Sequence, residues 1–183
     1  MDWIFSRQHP WLILLMAVVM ASIAAASASS RPKRRYPGLY WNCLISILAS
    51  SFLVTGLALT GIFQLQPWFT PQYLIPLLGM VLGNTLNGIS LALDRFLDDL
   101  QKQRDLVETR LCLGASAWEA SHDLLRSALR TGLIPSINSM AVMGVVSLPG
   151  MMTGQILAGV IPGEAVRYQM VIVFMITAAA TLG

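Results

Sequence analysis

The strongest constraint in this sequence is a long stretch without charge. No Asp, Glu, Lys or Arg occurs at the 58 positions from Tyr36 to Leu93, and a dense block of charge follows at once. A soluble domain needs charge over its surface, because charged side chains are almost never fully buried unless they are paired. A bilayer supplies an apolar environment, and one spanning helix needs roughly 20 mostly apolar residues. The stretch therefore predicts two spanning helices joined by a turn.

The composition agrees with a membrane protein. Hydrophobic residues make up 55% of the chain and charged residues 11%, against about 25% charged in soluble domains. The net charge of +3 is accounted for by Lys and Arg held on one side of a bilayer, so we expect no nucleic-acid partner. The two cysteines, Cys43 and Cys112, fall in an apolar segment and in the charged block. They suggest neither a disulfide nor a paired metal site.

The remaining uncharged windows extend this reading to an all-α, polytopic transmembrane helical bundle with about five spans. Residues 64–72 contain Pro67, Trp68 and Pro71, which indicates a turn at a membrane interface. Residues 94–130 carry six basic and seven acidic side chains and are predicted as a solvated helical region. We treat 1–183 as a single transmembrane domain and place the spans near 11–29, 40–63, 73–93, 131–148 and 164–183.

The positive-inside rule orients this arrangement. Four basic residues lie at Arg31 and Lys33–Arg35, and six more lie within 95–130. With the predicted spans, both clusters fall on one side of the membrane. We therefore expect 31–35 and 94–130 to be cytoplasmic, in a multi-pass protein of the cell (inner) membrane whose other partner is the lipid bilayer.

The first apolar segment has a second interpretation. Ala26, Ser27 and Ala28 after an apolar run are typical of a signal-peptide cleavage site. The positive cluster, however, follows this run instead of preceding it, and positive charge there opposes translocation. We favour a retained helix.

The most specific motif lies in the charged block. Glu108 and Gly114 keep the six-residue step of the cytoplasmic loop that reads E-A-A, three residues, G in permeases of ATP-binding-cassette (ABC) importers. Leu113, Gly114, Ala115 and Ser116 form a run that is common in that loop. A short helix, a glycine turn and a second helix would make a knob that docks on an ATPase. The match weakens afterwards, since Ser127 stands where such loops have proline. A solvated helix turn without a partner remains the alternative.

Two asparagines are candidates for a polar path. Asn84 and Asn87 lie among Gly79, Gly83 and Gly88, a spacing that allows close approach of helix backbones with hydrogen bonds across the contact. Simple helix packing is the leading interpretation, and lining of a substrate path is the other.

A second candidate segment surrounds Pro149. Pro149 removes a backbone donor, and broken helices in transporters are tolerated where they line a cavity. Met151, Met152 and Gln155 follow it. Two thioethers and an amide could contact a soft cation, although Met also fills gaps in cores. We name these three residues as candidates for the path, and the metal ligands stay unknown.

Enzyme signatures are absent from the sequence. It has no GxxxxGK[ST] phosphate loop, HExxH, CxxC or GxSxG motif. We therefore expect a protein that is not an enzyme and binds no cofactor itself.

The chain resembles the FetB family, bacterial ABC-type permeases of iron export that are related to plant aluminium-tolerance permeases. Four ordered blocks carry the resemblance: Pro76–Phe96, Glu108–Ser116, Thr131–Gly159 and Glu164–Met175. By this resemblance the chain is a permease subunit that exports metal, with iron as the expected ion, through alternating access. ATP would be used by a separate ABC ATP-binding subunit that docks on 104–123, and two permease copies would assemble.

The resemblance also implies a longer permease of which this chain is a fragment. Two rival functions stay open from the residues alone: an ABC importer permease for another small solute, and a non-transporting membrane scaffold.

Overall fold

The fold is a bundle of helices. A computed structural model describes residues 10–32, 36–62, 71–144 and 148–183, and within these ranges it contains helices and no β-strand. The all-α prediction is thus confirmed. In chain order the helices are α1 (Pro10–Ser30), α2 (Leu39–Leu57), α3 (Pro71–Lys102), α4 (Arg104–Cys112), α5 (Ala117–Val142), α6 (Gly150–Leu157) and α7 (Pro162–Leu182), and a π-helical turn, Ala58–Ile62, continues α2.

Four stretches are long and apolar enough to cross a membrane, by length and composition: Ile13–Ser30, Leu39–Ile62, Leu74–Lys102 and Pro162–Leu182. They correspond to four of the five predicted spans. The segment predicted as a span at 131–148 coincides with the second half of α5, which ends at Val142. Most of the predicted turn at 64–72, and the basic residues Lys33–Arg35, lie outside the described residues.

Helix α1 shows how the bundle is built. Its small residues Ala17, Ala21, Ala25 and Ala28 are buried against the other helices, at spacings of four, four and three residues. Several of its large apolar side chains, such as Ile23, are exposed, although Ile13 is buried. Small residues inside and large ones outside are typical of helices that pack in lipid, where close backbone approach drives association.

Helix α3 is the centre of the bundle. It packs against α1, α2, α5 and α7. The end of the uncharged stretch at Leu93 does not end this helix, which continues to Lys102. Its charged part is held by ion pairs one turn apart, Arg95 with Asp99 at 2.8 Å and Lys102 with Asp98 at 2.7 Å. Helix α5 likewise runs without interruption from the charged block into the apolar layer. Two continuous helices therefore join these regions.

The closest helix contact lies where α3 and α5 cross. A Cβ atom added to Gly132 would lie 2.7 Å from the carbonyl oxygen of Gly88 and 2.9 Å from the Cβ of Ala92. A Cβ at Gly88 would lie 3.2 Å from the carbonyl oxygen of Gly132. The observed backbone separation therefore requires glycine at position 132, and a side chain at position 88 would need the α5 backbone to shift by a few tenths of an ångström. We call this contact the glycine crossing.

The neighbouring glycines of α3 do not share this contact. A Cβ at Gly79 would meet the end of the Met20 side chain on α1, and a Cβ at Gly83 would meet nothing within 4 Å. Asn84 donates to the carbonyl oxygen of Met80 in its own helix, at 2.8 Å. The expected packing face is thus realised at Gly88, and the Asn84 amide nitrogen does not bridge helices.

We expect Gly132→Ala to destabilise the bundle by about 1–3 kcal/mol, because the added methyl group would overlap backbone that cannot move independently. The measurement is the thermal unfolding midpoint of the purified protein in detergent micelles. Gly83→Ala is the matched control: its methyl group meets open space, and replacing helical Gly by Ala stabilises a helix by about 0.5–1 kcal/mol. Equal midpoints for the two variants would contradict the importance of the glycine crossing.

Candidate functional site

The predicted coupling residues form one compact hairpin. Helix α4 ends in a Schellman motif, in which the Gly114 N–H donates to Leu111 O at 3.0 Å and the Ala115 N–H donates to Arg110 O at 3.1 Å. Gly114 has φ of +93°, a left-handed conformation that favours glycine. The chain reverses here and enters α5. We call residues 104–123 the α4–α5 hairpin.

The first turn of α5 is fixed by a capping box. The Ser116 hydroxyl accepts a hydrogen bond from the Glu119 N–H at 3.3 Å, and the Ser116 N–H donates to Glu119 Oε2 at 2.8 Å. The Ser116 hydroxyl also donates to Glu119 Oε2 at 2.7 Å. Hydrogen bonds from the Ser116 backbone and then from its side chain lower the pKa of Glu119 below its ordinary value. The carboxylate thus stays ionised at the helix amino terminus, where negative charge is favourable.

A single arginine ties the two helices of the hairpin together. Arg110 Nη1 on α4 donates to Asp123 Oδ2 at 3.1 Å and to the carbonyl oxygen of Ala120 at 3.3 Å, both on α5. Glu108 pairs with Arg104 within α4 at 2.6 Å, and this hydrogen bond raises the pKa of Arg104. The latter pair is exposed, so we assign it little stability. The two bonds of Arg110 join α4 to α5 across the hairpin.

The hairpin exposes several large apolar side chains near its turn. Leu113 is 82% exposed and Trp118 is 64% exposed, and Leu111 and the Cys112 thiol are also accessible. Exposed large apolar groups that cluster on a polar segment mark interaction surfaces. Leu113, Gly114, Ala115 and Ser116 form the turn itself, whereas Glu108 lies within α4, where it pairs with Arg104.

A second site is a cleft at the carboxyl-terminal end of α5, away from the α4–α5 hairpin. It has a volume of about 480 Å³ and lies between α3, α5, α6 and α7. Its polar and thioether lining residues are Met80, Asn84, Ser136, Ser139, Met143, Met151, Gln169 and Thr177. We call it the methionine cleft. Helices α5 and α6 are separated by non-helical residues at 143–144 and 148–149, as the helix break predicted around Pro149 requires.

The predicted path residues divide at this cleft. Asn84 and Met151 line it, whereas Asn87, Met152 and Gln155 are not among its lining residues. Asn87 accepts a hydrogen bond from Arg31 Nη1 at 2.8 Å, which joins the end of α1 to α3. Met152 is buried against neighbouring helices, and the buried Oε1 of Gln155 has no hydrogen-bond partner.

Gln169 is the lining residue that sequence reasoning missed. It lies on α7, is 7% exposed, and its buried Oε1 accepts no hydrogen bond. A buried acceptor without a donor is rare and calls for an explanation. The only sequence signal was an amide in the otherwise apolar run that follows Arg167. Among the described residues, no three His, Cys, Asp or Glu side chains come close enough to hold a metal ion.

We expect Ser116→Ala to loosen the first turn of α5, because removing a serine cap costs about 1 kcal/mol. Amide hydrogen exchange at residues 117–120 of the purified protein should then become several-fold faster. Ser121→Ala is the control: the Ser121 hydroxyl donates to Ala117 O inside the helix at 2.8 Å and caps nothing. Equal exchange rates in the two variants would contradict a capping role.

The same turn should respond to acid. The pKa of Glu119 is lowered in the folded hairpin, so its contribution is complete above the ordinary Glu pKa and is lost as the pH falls through the lowered value. Exchange at 117–120, corrected for the intrinsic pH dependence, should therefore rise in acid in the wild type and change less in Glu119→Gln. If the corrected exchange rates of the wild type and of Glu119→Gln changed equally in acid, the role of the ionised Glu119 carboxylate would be contradicted.

Comparison with known proteins identifies what kind of chain carries these features. Residues 1–183 match the family described as "Uncharacterised protein family (UPF0014)". The UPF0014 membrane protein slr1647 of Synechocystis sp. is 45% identical over 179 residues, which cover 98% of this chain and 69% of the relative. No solved structure matches this chain.

Two further relatives carry names that describe a role. The probable iron export permease protein FetB of Escherichia coli is 31% identical over 182 residues, covering all of this chain and 69% of that protein. Protein ALUMINUM SENSITIVE 3 of Arabidopsis thaliana is 34% identical over 182 residues, covering all of this chain and 65% of that protein. The resemblance to FetB-type permeases is confirmed, and the chain belongs to the UPF0014 family of membrane proteins.

Proposed function

We propose that this chain is the permease subunit of an ABC transporter that exports a metal ion, with iron as the expected ion. Iron export is the activity named for the Escherichia coli relative. In this proposal the α4–α5 hairpin docks on a separate ATP-binding subunit, and the methionine cleft lies on the path of the ion. The chain itself carries no nucleotide and no catalytic group.

The observation that carries the proposal is the hairpin. Its turn is fixed by the Schellman motif and its first α5 turn by the capping box, and Arg110 joins its two helices. A rigid knob with Leu113 exposed at its tip suits a groove on a partner, since a preorganised element loses little entropy on docking. The sequence has no phosphate-binding loop. ATP hydrolysis is therefore assigned to the partner.

The fold also offers a route for the motion. Helix α3 and helix α5 both reach the hairpin end and both line the methionine cleft. Along α3, Asn84 in the cleft lies about 27 Å from Lys102 at 1.5 Å per residue. In alternating access, movement of the docked hairpin would be transmitted along these two helices and would open the cleft to one side or the other.

The orientation and assembly belong to the same proposal. We place the chain in the cell (inner) membrane with 31–35 and 94–130 in the cytoplasm, where the ATP-binding subunit would be found. The contact between Arg31 and Asn87 supports this placement. It sets the basic end of α1 beside the half of α3 that leads into the charged block, so Arg31 and the basic residues of that block lie towards the same side. Two permease copies are expected on a dimeric ATPase.

The first test measures iron retained in cells that produce the full-length permease with its ATP-binding subunit. Leu113→Asp should raise retained iron towards the level of cells lacking the permease, because a carboxylate at the docking tip would be desolvated without a partner. Leu113→Met keeps an apolar tip of similar volume and should export like wild type.

Three results separate the candidate functions. Iron export that needs Leu113 supports the proposal. Solute accumulation that depends on an external binding protein would identify an importer. A phenotype that is unchanged in Leu113→Asp and in the absence of any ATPase would identify a scaffold.

The second test looks for the docking itself. Cys112 is exposed on the hairpin, and Cys43 is buried, so a membrane-permeant thiol cross-linker should react with Cys112 selectively. We expect a cross-linked product of the permease and its co-produced ATP-binding subunit, found by immunoblotting. The product should disappear in Cys112→Ser and persist in Cys43→Ser. A product that depends on Cys43 would contradict docking at the hairpin.

A further inference from the structure

The geometry points to the methionine cleft as a binding site for a soft transition-metal ion of low charge, held by the thioethers of Met80, Met143 and Met151 and by the amide oxygen of Gln169. The binding claim stands on the cleft alone, and only its role in export rests on the proposed function. By the same chemistry the site would reject a hard trivalent ion such as Fe(III).

The Gln169 amide oxygen is available to a ligand in the cleft. The Gln169 side chain is buried and lines the cleft, yet its Oε1 has no donor. A buried acceptor needs either a hydrogen-bond donor or a cation. Asn84 lines the same cleft and uses its Nδ2 on the Met80 carbonyl.

The three thioethers come from three different parts of the chain. Met80 lies on α3, Met143 directly follows the last residue of α5, and Met151 lies in the first turn of α6. Each is only partly buried and lines the cleft. Met80 and Met151 also pack against the hydrophobic core, so each has one side in the core and one side on the cleft. Thioether sulfur is a soft ligand that favours ions such as Cu(I) over hard cations.

The softness of the thioethers is one limit on the ligand, and the charge around the cleft is a second. Among the described residues that line the cleft, none is Asp, Glu, His, Lys or Arg. The amino terminus of α6, at Gly150, also borders the cleft, and helix amino termini carry a partial positive charge. The desolvation cost of an ion rises steeply with its charge, so an uncharged site cannot offset it for Fe(III) or Al(III). A soft ion of low charge meets both limits.

The experiment measures Ag(I) binding to the purified full-length protein in detergent micelles by equilibrium dialysis. Ag(I) is a soft ion of single charge that needs no reductant. Met151→Leu should weaken Ag(I) binding at least tenfold, while the adjacent Met152→Leu, which is buried outside the cleft lining, should bind like wild type. Leucine conserves the volume of methionine, so both variants should fold. Gln169→Leu should also weaken binding.

Matched probes define what would overturn the inference. Equal Ag(I) affinity in wild type and Met151→Leu, or equal loss in Met151→Leu and Met152→Leu, would refute a thioether site. Binding of Al(III) as tight as that of Ag(I) would refute selection for soft ions, and binding of phosphate alone would assign the cleft to anions.

The cell assay separates this inference from the proposed function. If Met151→Leu loses Ag(I) binding but no variant changes retained metal, the site stands and the export function fails. If Leu113→Asp abolishes export while Met151→Leu binds Ag(I) normally, export stands and the site fails.

Discussion

The contact between Gly88 and Gly132 organises the rest of the structure. At this crossing the two backbones are so close that neither position has room for a methyl group without displacing the other helix. The crossing fixes α3 against α5, and both helices run on in both directions. Four residues from the crossing, Asn84 and Ser136 line the methionine cleft. About 21 Å away in the other direction, at 1.5 Å per residue, α3 reaches Lys102 and the α4–α5 hairpin.

This arrangement gives one pair of helices two different environments. Their apolar halves belong to a bundle whose core contains both small residues, such as Gly88 and Gly132 at the crossing, and large ones, such as Leu78 and Val81. Their charged halves carry ion pairs one turn apart and support a hairpin held by Arg110 and the capping box. In the proposed coupling, a displacement of the hairpin would be transmitted to the cleft along α5, which is helical from the hairpin to the cleft and contains Pro135. The proposed coupling depends on this continuity.

The cleft brings polar but uncharged side chains together inside the bundle. Its lining is uncharged, and its Ser, Thr, Asn, Gln and Met side chains offer hydrogen bonds or soft lone pairs. In an apolar surrounding an unpaired charge is costly, whereas an unpaired amide oxygen is tolerated at lower cost. Gln169 Oε1 is such a group. The same absence of charge that lets the helices enter a membrane therefore restricts the ions that the cleft could hold.

The sequence by itself determined the fold class, four of the apolar helices, the turn at Gly114 and the family. These follow from local causes: runs of apolar residues, the φ that glycine allows, and an ordered set of motifs. It did not determine that α3 passes beyond Leu93, because helix continuity across a change of solvent depends on ion pairs and packing. Nor did it separate Asn84 from Asn87, or Met151 from Met152. Residues one or three positions apart on a helix contact different neighbours. Only the tertiary structure therefore decided that Asn84 and Met151 share a cleft with Gln169.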